Sequence, residues 1–105
     1  MSEINFTDSN FDSEVLKSTI PVLVDFWGPG CAPCMIQSPI IDELAQELTG
    51  KVKIGKLNVA DNYQIASRYG VMSIPTLIIY QNGNIVDQMM GLQSKDVLLQ
   101  KLSKI

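Results

Sequence analysis

Histidine is absent from the 105 residues, and cysteine occurs only twice. The first absence removes imidazole base catalysis, Cys-His nucleophiles and histidine-ligated metals together. The second leaves too few thiols for a disulfide scaffold or a closed zinc site, so no metal is expected. Basic clusters are missing as well: eight Lys and Arg stand against eleven Asp and Glu, a formal net charge of -3. The attraction that draws proteins to nucleic acid or to anionic membranes is therefore lacking. No apolar run approaches membrane-spanning length, and the N-terminal MSEINFTDSN has no basic stretch leading into an apolar one. The expectation is a cytoplasmic protein with neither a nucleic-acid nor a membrane partner. What is present, 46% hydrophobic and 18% charged residues, belongs to a compact globular chain, and residues 1–105 read as one domain with a single core.

Strand-like and helix-like segments alternate along the chain, without repeats or linkers, which argues an α/β domain. INF is a short first strand. TDSNFDSEVLKS carries Thr and Ser cap candidates and sets Phe11 and Val15 four apart on one helical face, predicting a helix that ends near Ser18. PVLVDFW is nearly continuous in apolar residues, the pattern of a central strand covered on both faces. From Ala32 to Leu48 the positions Ile36, Ile40, Ile41, Leu44, Ala45 and Leu48 predict the buried side of the longest helix, which contains Pro39. KVKIGKLNV alternates as a strand, NYQIASRYG is a short helix closed by Gly70, and TLIIYQNGNIVDQMM is a hairpin turning at Asn82-Gly83. SKDVLLQKLSKI closes the chain as an amphipathic helix.

The two cysteines stand in WGPGCAPC, where the central strand gives way to the longest helix. That placement puts Cys31 near the N-cap and Cys34 in the first turn. The unsatisfied N–H groups and positive dipole end of the helix favour a thiolate at Cys31, and a thiolate at neutral pH is a nucleophile. Pro33 loses no helical bond in the first turn and stiffens the loop, while Ala32 supports the helix start. A structural disulfide over so short a loop would contribute only about 2 kcal/mol, and half a zinc site lacks its other ligands. Redox chemistry is the reading these residues favour.

Two further side chains bear on it. Asp25 interrupts the central strand on the side shared by Leu23 and Trp27, so its carboxylate either lies under the helix start, with a raised pKa and a role as base toward Cys34, or reaches solvent at the strand end. Lys56 shares a strand face with Val52 and Ile54; it either points inward as a partner for Asp25 or is solvated.

VDFW, the Cys-x-x-Cys at a helix start, Pro39 five residues past Cys34, KLNV, YGVMSIPTLIIYQNG and the Gly of MMGL resemble the thioredoxin family over essentially the full length. The resemblance implies a central mixed five-stranded sheet flanked by four helices, with Cys31 as nucleophile, Cys34 as resolving cysteine, and Asp25 and Lys56 as a buried pair beneath them. It also implies a cis peptide at Pro75, facing the cysteines, and a docking surface of Trp27, Ile74, Pro75, Gly91 and Leu92, with Trp27 equally readable as core. Where the family motif usually reads Trp-Cys-Gly-Pro-Cys-Lys, this chain has Gly30, Ala32 and Met35 in place of Trp, Gly and Lys, with Pro33 retained. Met72 replaces a frequent basic residue at the same rim.

The implied function is a thiol-disulfide oxidoreductase, a small monomeric electron carrier that reduces disulfide-containing target proteins. A Gly-rich dinucleotide loop is missing, so no cofactor beyond the Cys31–Cys34 disulfide is expected and a thioredoxin reductase-type protein must supply the electrons. The alternatives are a dedicated redox partner or binding subunit with restricted targets, and a disulfide isomerase or oxidase.

Overall fold

The computed structural model describes residues 3–105. Five strands and four helices alternate: β1 (Ile4–Phe6), α1 (Asp12–Leu16), β2 (Val22–Trp27), α2 (Ala32–Glu47), β3 (Lys53–Asn58), α3 (Tyr63–Arg68), β4 (Thr76–Gln81), β5 (Asn84–Met90) and α4 (Lys95–Leu102). The sheet runs in the order β1-β3-β2-β4-β5. β3 is parallel to both β1 and β2, and β4 is antiparallel to β2 and β5. This is the mixed five-stranded, four-helix architecture expected.

β2 lies at the centre because both of its faces are apolar. Val22, Val24 and Phe26 pack with Phe11 and Val15 of the α1 segment and Ile65 and Ala66 of α3. Leu23 faces the other way, against Ile41, Leu44 and Ala45 of α2 and Leu98 and Leu102 of α4. Alternation along the strand therefore turns Asp25 toward α2, the helix that carries the cysteines.

Two expectations need correction. The first helix is a π-type turn, in which the Lys17 N–H donates to the Asp12 carbonyl at 3.1 Å. It is entered through a reciprocal pair: Thr7 Oγ1 accepts from the Asn10 N–H (3.1 Å) and Asn10 Oδ1 accepts from the Thr7 N–H (2.8 Å). The wide turn still buries Phe11 and Val15 together, as their spacing required. In α2, Ile36 is exposed (56%), and the buried face is made by Cys34, Gln37, Ile41, Leu44 and Ala45. Ile36 lies two residues past Cys34, about 200° around the helix, and so points away from the sheet.

The hairpin turn follows the local chemistry: Asn82 (φ 54°) and Gly83 (φ 81°) both take the positive φ of a type I′ turn. In β4, Tyr80 is fully buried in an edge-on cluster with Phe11 and Tyr69, and its hydroxyl has no hydrogen-bond partner among the described residues. Tyr80→Phe removes that orphaned group without emptying the site, and is expected to raise stability by about 1 kcal/mol in urea titrations. A loss of stability would mean that the hydroxyl is satisfied.

Candidate active site

Cys31 is the N-cap of α2, in an extended conformation (φ -103°, ψ 107°), and its Sγ accepts from the Cys34 N–H at 3.2 Å. Pro33 falls in the first turn, where its missing N–H costs no helical bond. The first turn has no acidic residue, so none within the helix offsets its positive end at the sulfur. Cys31 and Cys34 are joined as a disulfide with their Cα atoms 5.2 Å apart. Cys31 is half-buried and Cys34 only 1% exposed, so an incoming thiol or disulfide meets Cys31 first. Pro29 and Gly30 turn the chain into this cap, with Gly30 at φ +77°, the value that a type II turn places at its third residue.

Ile74–Pro75 is a cis peptide, and the Ile74 carbonyl oxygen lies 3.7 Å from Cys31 Sγ. The Gly91 N–H donates to the Pro75 carbonyl at 2.8 Å, which brings the segment between β5 and α4 to the same edge. Gly30, Ala32, Pro33 and Leu92 are exposed, and Trp27, Ile74 and Gly91 half-buried. Pro75 is buried and supports this rim from below. Met72 is almost fully exposed (97%) and borders a groove along α3 with Tyr63, Ser67 and Val71, rather than the cleft beneath the sulfurs.

That cleft, about 120 Å³, is lined by Asp25, Trp27, Cys34, Met35, Ser38 and Lys56. It is large enough to admit water. Asp25 is 1% exposed, and neither carboxylate oxygen has a hydrogen-bond partner among the described residues. Burial pushes its pKa up from 3.8 to about 7; the Lys56 charge pulls it back and Asp42 pushes it further up. Lys56 sits beside Asp25 in the β2/β3 ladder. Its ammonium, however, donates to Ser38 Oγ and forms an ion pair with Asp42 Oδ1 at 2.7 Å. The expected Asp25–Lys56 pair is thus an interaction through the field and not a direct bond. The reason is desolvation: Asp42 is partly open to water, so pairing there costs less than burying the ammonium against Asp25.

Ser38 and Asp42, like the buried Gln37, were not legible as site residues in the sequence. The signal available was their spacing of three, four and eight from Cys34, which puts them on the side of the helix that Cys34 occupies. Among the described residues, no cluster of three or more His, Cys, Asp or Glu could hold a metal, and no helix is long and apolar enough to cross a membrane.

The family model described as Thioredoxin matches residues 2–104. The chain is 51% identical over 100 residues to "Thioredoxin" of Rickettsia felis, covering 95% of each chain. It is 51% identical over 98 residues to "Thioredoxin 1" of a Nostoc species, covering 93% of this chain and 92% of the relative. With "Thioredoxin" of Pyropia yezoensis it shares 45% identity over 104 residues, 99% of this chain and 97% of the relative. Likeness over nearly the whole length, together with a disulfide at the head of α2 that presents one sulfur and buries the other, shows that the chain belongs to the thioredoxin family and is a thiol-disulfide oxidoreductase.

Proposed function

We propose that residues 1–105 work as one monomeric, cytoplasmic domain that carries electrons from a thioredoxin reductase-type protein to disulfide-containing targets, with no further cofactor. The observation that carries this reading is the asymmetry of the sulfurs: Cys31 half-buried at the helix N-terminus, Cys34 buried behind it, and Asp25 beneath on the cleft that Cys34 also lines. In the reduced form, the Cys31 thiolate attacks one sulfur of a target disulfide; a Cys31–target bond forms, the target S–S bond breaks, and one target thiolate leaves. Cys34 then gives its proton to the Asp25 carboxylate, directly or through water in the cleft, and attacks Cys31 Sγ. That step breaks the mixed bond and releases the second target thiol. The target gains two electrons, and the protein is left as the Cys31–Cys34 disulfide until the reductase returns them.

Lys56 tunes this base through its charge, restraining the rise that burial imposes on Asp25. Targets dock on the rim around Cys31, with Leu92 and Ile74 as apolar contacts and Gly30, Ala32 and Pro33 leaving a low approach to the sulfur. Trp27 and Gly91 complete this rim over Pro75, and Met72 extends it toward α3. The test is the reduction of insulin by dithiothreitol, followed by precipitation of the freed B chain. Acceleration well above dithiothreitol alone is expected. A folded, fully reduced protein that gave no acceleration would exclude a general reductant.

A further inference from the structure

Gln37 is a polar side chain on the buried face of α2, with no measurable exposure. It lies one turn beyond Cys34 and uses both ends of its amide on a single residue far along the chain. Its Nε2 donates to the Gln93 carbonyl at 3.0 Å, and its Oε1 accepts from the Gln93 N–H at 2.8 Å. Such a pairing imitates a strand ladder and holds a backbone segment in both position and orientation. The held segment, Gly91–Leu92–Gln93, joins β5 to α4 and carries the exposed Leu92. At its other end the Gly91 N–H is fixed to the Pro75 carbonyl, beside Ile74, whose own carbonyl faces Cys31 Sγ. The sulfur helix, the Pro75 turn and the Leu92 segment are thus linked in a closed circuit of contacts that includes the reacting sulfur, and Gln37 is the side chain that ties the Leu92 segment to the helix.

We propose that Gln37 is a positioning residue for target capture: through Gln93 it fixes Leu92 in the docking rim, and without it the segment loses register with Cys31. The inference rests on the docking role given to Leu92 above. Buried polarity has a reason here, since an apolar residue at position 37 would fill the same space but leave the Gln93 N–H and C=O unpaired. Those groups would then turn toward water and carry Leu92 with them.

The test compares wild type, Gln37→Met, Leu92→Ser and the double variant in insulin reduction, each verified by cooperative thermal unfolding. Loss of two neutral hydrogen bonds predicts a KM about tenfold higher for Gln37→Met with kcat changed less than about twofold. Because Gln37 acts through Leu92, adding Gln37→Met to Leu92→Ser is expected to raise KM by less than about twofold more, a non-additivity that a purely structural role would not produce. An unchanged KM for Gln37→Met beside a raised KM for Leu92→Ser overturns the inference alone, as does full additivity. An unchanged KM for Leu92→Ser overturns the docking role and the inference with it. Should Gln37→Met not fold, Gln37→Asn keeps a neutral amide but is one methylene too short to hold both the N–H and the C=O of Gln93; a rise of about threefold is expected, and wild-type KM overturns the proposal.

Discussion

Cys31→Ser is expected to reduce insulin no faster than dithiothreitol alone, a loss on the order of a thousandfold or more, because a serine hydroxyl neither ionises near neutral pH nor forms an S–S bond. Cys34→Ser should fail differently. Cys31 keeps its place at the N-terminus of α2 and its exposure, so the first exchange proceeds, but no second sulfur lies behind it to release the target. Incubation with insulin should therefore yield a covalent adduct, one target per protein, visible by mass spectrometry under non-reducing conditions and dissolved by excess thiol. The distinction follows from burial: at 1% exposure Cys34 cannot meet a bulky disulfide, whereas the half-buried Cys31 can. Turnover by Cys31→Ser, or adduct formation through Cys34 in that variant, would reverse the roles assigned to the two sulfurs.

The second large effect belongs to Asp25→Asn. A carboxylate whose pKa stands at about 7 in the folded protein and near 3.8 in the unfolded chain binds its proton more tightly when folded. Its contribution to stability is whole below pH 3.8 and is lost as pH rises through about 7, by at most about 1.4 kcal/mol per pH unit and on the order of 4 kcal/mol in all. Asparagine never ionises and so escapes this loss. In urea titrations of the disulfide form, Asp25→Asn is expected to be more stable than wild type by roughly 2–4 kcal/mol at pH 8, with the difference fading toward pH 4. Parallel stability curves across that range would show that Asp25 does not titrate as its burial demands. The same substitution removes the base for Cys34. Resolution of the mixed disulfide should slow by roughly a hundredfold at neutral pH, and the rise in wild-type rate as pH passes about 7 should vanish. A gain in stability joined to a loss in rate is the signature of a group retained for chemistry at the expense of the fold.

Much of this architecture is legible in local sequence. The double-sided apolar run of β2 placed it at the sheet centre, and the Asn82-Gly83 pair placed the hairpin. The cysteines were legible for the same reason, since a strand-to-helix junction is read over a few adjacent residues. The cis peptide before Pro75 came through family resemblance, as nothing in SIPT alone selects it. Ile36 misled because an apolar residue in a helix is counted toward the buried face, whereas only its angle relative to Cys34 and Ile41 decides where it points.

Partners chosen across the chain were another matter. α3 begins without a side-chain cap of its own, and Asp8, 57 residues earlier, accepts from the Ile65 N–H at 2.9 Å. Lys56 turned to Ser38 and Asp42 rather than to its ladder neighbour Asp25, and Gln37 found Gln93. By itself the sequence determined the order of the elements, the central strand and the redox pair at a helix start, because periodicity, caps and turns act between neighbours. Tertiary structure alone decided which acid holds the lysine, how far Asp25 is stripped of water, and which side chain tethers the Leu92 segment. Those choices depend on the balance of desolvation and contact among groups that only packing brings within hydrogen-bond reach.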